Sequence, residues 1–223
     1  MNSLNKEIID CRKCTRLVKF REFVAKKKRK QYLSETYWGK AVPGFGSLNA
    51  EILILGLAPA AHGANRTGRV FTGDRSASFL FKCLHKVNIS NQPNSIQRTD
   101  NLKIVNTFIT CAIKCVPPQD KPTSKELSTC SIYFSKELKL LKNLRVILTL
   151  GKVAFDSCIK YFNLEKKKYT FIHGKQYQIK KNLEIFACYH PSPRNVNTKR
   201  IDEDKMIEVF TRIKKTLKPH HNI

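Results

Sequence analysis

The sequence predicts an α/β protein in three layers, with helices on both faces of a central parallel sheet. Three observations carry that prediction. Four short apolar runs, at residues 50–56, 103–113, 144–150 and 183–189, have the length and continuity of strands buried on both faces. Helical patterns occupy the intervals at 76–87, 124–142 and 152–163, and an amphipathic one follows at 201–217. Strand and helix therefore alternate, as parallel strands joined by crossover helices must.

Each element has a local reason. Residues 3–35 read as helical, with Leu17, Phe20, Phe23 and Val24 at three- and four-residue spacing. The Lys26-Lys27-Lys28-Arg29-Lys30 run near its end suits a helix C-terminus as well as it suits a polyanion. Residues 37–46, Tyr37 to Gly46, form a Gly/Pro-punctuated loop before the first strand. Thr123 or Ser124 can cap the first turn of the 124–142 helix. The lysine-rich stretch from Lys166 to Lys181 is expected as an exposed hairpin or loop around His173-Gly174. No internal repeat and no separating linker is visible, so residues 1–223 are expected to form one domain, its helical stretch 1–35 included.

Charge narrows the partners. Lys and Arg number 42 against 17 Asp and Glu, a net +25, which attracts polyanions from a distance. Nucleic acid is the expected partner and anionic membrane the second. No apolar run approaches the roughly 18 residues of a membrane span, so no membrane role is expected. The start, Met1 to Glu7, lacks the apolar region of a secretory signal, and the expected setting is a reducing cytoplasm. Eight cysteines there call for ligation or burial rather than disulfides.

Cys11 and Cys14 form a C-x2-C pair, which presents two thiolates to one centre from a single turn. Cys115 and Cys130 bracket the Pro-rich loop Val116–Pro122 and can complete a set of four, with Cys111 competing for the third place. Spacing alone leaves zinc and an iron–sulfur cubane both open. Cys83, Cys158 and Cys188 sit in apolar or helical context and read as small buried hydrophobes.

In a parallel sheet, chemistry gathers at the carboxyl ends of the strands. The loops there are 56–74, 110–122, 151–152 and 190–200, and three of the four are rich in Gly, Pro, His and Asn. The first, Gly56 to Asp74, lacks the Gly-Lys-Ser/Thr ending of a phosphate-binding loop. Its small residues, Ala58 among them, let backbone approach a planar ligand. Phe71 can stack on a base, or fill the core, while Arg66 and Arg69 meet phosphate. Asp74 is the loop's only carboxylate, and it also suits the N-cap of the following helix. His190, in the stiff His190-Pro191-Ser192-Pro193 turn at a strand end, reads as a functional histidine that donates a hydrogen bond within the site.

Residues 37–46, the 56–74 loop, Lys114-Cys115-Val116-Pro117-Pro118 and His190-Pro191-Ser192-Pro193-Arg194-Asn195 together resemble family 5 of the uracil-DNA glycosylases, over Cys11 to about Arg200. The resemblance implies that family's α/β/α fold and a [4Fe–4S] cluster on Cys11, Cys14, Cys115 and Cys130, leaving Cys111 a bystander. It implies catalysis by Asp74 and His190, base binding by Gly56, Ala58, Phe71 and Asp120, and DNA contact by Arg66, Arg69, Ser192, Arg194 and Asn195. It also implies a monomer that flips uracil, and other deaminated bases, out of DNA and hydrolyses the N-glycosidic bond without cutting the strand. This chain departs from relatives at Asp120, where an asparagine is usual, and at Lys199, where a glycine closes the motif. Rival readings are a non-catalytic iron–sulfur or zinc nucleic-acid-binding protein, which needs the charge and the cysteines but not the ordered loops, and a small-molecule hydrolase on the same frame.

Overall fold

The computed structural model describes residues 1–218. The chain begins with α1 (Asn2–Ile9) and α2 (Thr15–Lys27), followed by a 3-10 turn at Lys30–Tyr32. The single helical stretch expected over 3–35 is thus two helices and a turn. The break falls at Asp10–Cys14, where Cys14 takes an extended backbone and the C-x2-C pair lies outside regular helix. The sheet and its crossovers follow as β1 (Phe45–Gly46), β2 (Ile52–Gly56), α3 (Ala64–Thr67), α4 (Arg75–Lys86), β3 (Thr107–Cys111), α5 (Ser124–Leu140) and β4 (Val146–Leu150). The chain then forms α6 (Lys152–Tyr161), β5 (Gln176–Lys180), β6 (Leu183–Cys188), α7 (Pro193–Asn197) and α8 (Glu203–Leu217).

The strand order is β1-β3-β2-β4-β6-β5. The four inner strands are those seen as apolar runs, and they pair in parallel. Both edge strands are antiparallel, so the sheet is mixed where the sequence suggested a parallel one. For β5 the reason is connection length: two residues join it to β6, and parallel strands need a crossover of a dozen or more. The Lys166–Lys181 stretch is accordingly a loop plus the first arm of a hairpin.

Side chains alternate across the inner strands. Ile52 and Ile54 pack with Leu80 and Phe81 of α4 and Phe210 of α8; Leu53 and Leu55 pack on the other face with Phe134 of α5 and Phe155 of α6. A third apolar cluster sets Ile8 and Leu17 against Tyr133, Cys115 and Cys130. Thr123 caps α5 in a full capping box with Glu126. The same Glu126 carboxylate receives Nε and a terminal nitrogen of Arg16 at 2.8 and 2.7 Å, tying α2 to α5. No helix among the described residues is long and apolar enough to cross a membrane.

Candidate functional site

The register of the inner strands sets Gly56 opposite Cys111 at the carboxyl end of the sheet. Gly56 is needed there because a Cβ would lie 2.9 Å from two ring carbons of Phe71 and 3.4 Å from the Cys111 sulfur. Phe71 is buried and holds φ +46°, a left-handed backbone that a bulky residue adopts only where surroundings enforce it. Its ring centroid stands 5.9 Å from that of His190, the planes inclined by 31°. Gly151, at φ +94°, lies close beneath His190, since a Cβ there would approach the His190 Cβ to 3.3 Å. Phe71, Cys111 and His190 therefore converge over two glycines.

The His190 loop is fixed from within. Its carbonyl accepts Asn195 Nδ2 and the Ser192 amide, both at 2.8 Å. Ser192 caps α7 by accepting the Asn195 amide at 3.3 Å. Although half-buried as a residue, His190 has its ring enclosed enough that burial pushes its pKa down to about 4. The imidazole is thus neutral near pH 7. Arg194, four residues along the same loop, is exposed.

Asp74 proves to be the N-cap of α4, its Oδ1 accepting the Ala77 amide at 2.9 Å. The other oxygen lies against Gly63, where a Cβ would come within 2.0 Å of it. Burial raises its pKa above the usual carboxylate value, while the helix amides and Arg66 act in the opposite sense.

Arg66 and Arg69 do not offer free guanidinium groups, contrary to the expectation of phosphate contact. Arg66, 8% exposed, pairs with Glu35, donates to the carbonyls of His62 and Gly73, and lies 3.9 Å from the Tyr32 ring. Arg69, 7% exposed, donates to both Asp100 oxygens at 2.8 Å and to Thr72 and Ser95 at 2.9 Å. Their geometry braces the long loop. Asp120 is exposed on a short 3-10 turn at φ +56°, and Ala58 packs partly buried beside the cysteine cluster.

Residues to which the sequence assigned no role support the site from behind. His173 stacks on Tyr189, with centroids 5.2 Å apart and planes at 9°, and its Nδ1 accepts the Tyr189 amide at 3.2 Å. Lys114 and Glu137 form a buried ion pair at 2.7 Å, to which Thr110 and the Gly44 amide also bond. Arg21 is 1% exposed on the inner face of α2. Its position four residues after Leu17 and three before Val24, on the apolar stripe, was the signal that could have found it.

Cys11, Cys14, Cys115 and Cys130 line one small cavity, walled otherwise by Leu17, Val18, Ala41 and Tyr133 together with Lys13, Lys114 and Thr129. Two N–H donors already point at its sulfurs: Arg21 reaches Cys115 Sγ at 3.0 Å, and the Lys114 amide reaches Cys130 Sγ at 3.3 Å. No three His, Cys, Asp or Glu side chains among the described residues converge on a single ion position. Four soft thiol donors around one volume, with N–H groups aimed at two of them, are in their chemistry a donor set that an iron–sulfur cluster takes. The remaining cysteines are buried and inert: burial pushes the Cys83 and Cys111 thiols up to about 12 and raises Cys158 and Cys188 as well.

A model of the uracil DNA glycosylase superfamily matches residues 43–215. The type-5 uracil-DNA glycosylase of Thermus thermophilus is 42% identical over 205 residues, which cover 92% of this chain and 93% of that protein. The type-5 enzyme of Pyrobaculum aerophilum is also 42% identical, over 92% of this chain and 88% of its own length. The type-4 uracil-DNA glycosylase of Archaeoglobus fulgidus is 26% identical over 86% of this chain and 81% of its own.

Proposed function

This chain belongs to the uracil-DNA glycosylase superfamily, and from that premise we infer that it is a DNA-repair hydrolase that excises uracil by cleaving the N-glycosidic bond. One observation supports the assignment of roles within it: a neutral His190 packed against Phe71 at the carboxyl end of the sheet.

A base stacked in a duplex is out of reach of such a pocket, so the nucleotide must be flipped, at an unstacking cost of a few kcal/mol. Bond cleavage then leaves positive charge on an oxocarbenium-like sugar and negative charge on the departing base. His190 is the catalytic donor to the base O2, where that negative charge collects. A neutral imidazole serves because it carries an N–H without bringing a full charge into the pocket before the bond breaks. Phe71 stacks on the flipped base, and Gly56 takes part in base binding by making room for the Phe71 ring. Asp74 orients the water or offsets the sugar charge; being the cap of α4 does not prevent this, because only one of its oxygens is spent on the helix.

The 190–200 loop presses on the DNA backbone through Arg194, while Ser192 and Asn195 shape the loop instead of touching DNA. Arg66 and Arg69 keep the 56–74 loop in form. Lys114 is buried in its ion pair with Glu137, which supports base release by hydrolysis without an amine adduct or strand cleavage. Cys111 stands beside the base with a neutral thiol and no amide, which favours a range extending to other deaminated bases.

Cys11, Cys14, Cys115 and Cys130 hold a [4Fe–4S] cluster in this reading. Through such a group these four residues would tie the α1–α2 junction to α5 and to the loop after β3 by iron–thiolate bonds. The enzyme acts on DNA as a monomer.

The test is single-turnover excision from a uracil-containing duplex. His190→Ala should cut the rate about a hundredfold, the usual loss on removing a preorganised donor, while Kd for the same duplex changes little. An unimpaired rate would remove His190 from the mechanism.

A further inference from the structure

We propose that Arg21 is the built-in counter-ion of the four-cysteine centre, and that it sets the reduction potential and lifetime of the iron–sulfur cluster held there. The proposal rests on the cluster reading given above. Arg21 is the largest of the fully buried side chains, and it enters the protein on the apolar stripe of α2. A guanidinium is charged at all working pH values, so it cannot escape burial by losing its proton.

No carboxylate among the described residues is paired with it: the Glu22 carboxylate feels its charge but is held by Arg12. One terminal nitrogen donates to Cys115 Sγ and the other to the Cys11 carbonyl, both at 3.0 Å. Its Nε has no partner among the described residues. No ion pair among the described residues includes it, whereas the two other well-buried arginines, Arg66 and Arg69, each hold a carboxylate. Leaving a charge buried and unpaired costs several kcal/mol, a large part of an ordinary domain's stability. Such a residue is tolerable where its neighbours become anionic. Four cysteines deprotonated on a cluster provide net negative charge beside the guanidinium, one of them within hydrogen-bond distance.

The consequence for the cluster follows from the same electrostatics. A positive charge and an N–H donor at a ligand sulfur favour the more negative, reduced state and so raise the potential. The donated hydrogen bond also fixes the position of the Cys115 sulfur. Arg21 is thus a positioning and tuning residue; it does not touch the base.

The test compares the iron-loaded wild type with Arg21→Gln, Arg21→Met and Arg21→Lys. Iron and acid-labile sulfide are counted, the cluster is titrated with redox mediators, and its bleaching in air is followed at about 400 nm, where cysteine-ligated clusters absorb. Far-UV circular dichroism reports whether each variant is folded. Gln and Met should shift the potential to more negative values and bleach about tenfold faster, the factor expected for losing one charged hydrogen bond. Lys keeps the charge without the fork and should fall between them and the wild type. Folded Gln and Met variants that retain no iron, alongside a loaded Lys variant, also support the proposal. Loaded variants with the wild-type potential and bleaching rate overturn it. A wild-type chain that takes up no iron removes the cluster reading itself, and this proposal with it.

Discussion

Acid should disable this enzyme much later than an ordinary histidine would allow. Burial holds the His190 pKa at about 4 against the ordinary 6.5. At pH 5 only about a tenth of such imidazoles carry a second proton, whereas a solvated one is almost wholly protonated. The single-turnover rate should therefore hold to about pH 5 and fall through about 4. Stability carries the same signature. Between pH 6.5 and about 4 the unfolded chain binds the His190 proton and the folded chain does not, so stability falls as pH falls. At about 1.4 kcal/mol per pH unit, the loss accumulates to about 3 kcal/mol across that window. His62 and His173 are also held below their ordinary pKa by burial and contribute to the total slope. The difference between wild type and His190→Gln isolates the one residue. Urea unfolding at half-unit pH steps from about 7.5 to about 4 should show wild type and variant parallel above 6.5, and the wild type losing about 3 kcal/mol more below it. Curves parallel throughout, or an excision midpoint near 6.5, would refute the reasoning.

Asp74 can be examined through its neighbour. Gly63→Ala puts a Cβ where the free Asp74 oxygen lies and should lower the single-turnover rate about a hundredfold, as ångström-scale misplacement of a reacting group does. Asp74→Asn keeps a good N-cap, so it should lose rate with Tm little changed, and a normal rate would leave Asp74 a cap only. Cys130→Ala should bleach the purified protein while Cys158→Ala leaves its colour intact, which absorbance and iron analysis will check. Neutralising Lys26, Lys27, Lys28, Arg29 and Lys30 should flatten the dependence of DNA affinity on salt, by roughly one counterion for each phosphate those side chains had neutralised; an unchanged slope returns the run to an ordinary solvated surface.

The inner sheet was legible because burial on both faces leaves little room for polar residues: all five positions of β2, β3 and β4 are buried. The edges were not. β1 has two residues and β5 alternates exposed and half-buried side chains, so neither leaves a long apolar run. The helix break at Asp10–Cys14 was hidden because no Gly or Pro marks it. At the site, loop membership was visible and side-chain direction was not. Arg66 and Arg69 stand in a glycine-rich loop of a strongly basic chain, the context of phosphate contacts. Their carboxylate partners, Glu35 and Asp100, lie 31 residues away in opposite directions, and only the folded chain brings them in. Asp74 was open to two readings, and the fold satisfies one of them without excluding the other. His173 gave no signal, since its role depends on β5 folding back beside Tyr189.

The hairpin that closes the far side of the sheet has a consequence for how this protein tolerates its own company. β5 is an edge, with a row of backbone groups turned outward that another strand could extend. Lys175, Lys180 and Lys181 crowd that margin, and its outward-facing positions are exposed and polar. Two such margins brought together repel before their backbones can pair. A chain with a surplus of positive charge thus has in it a guard against self-templating at this edge.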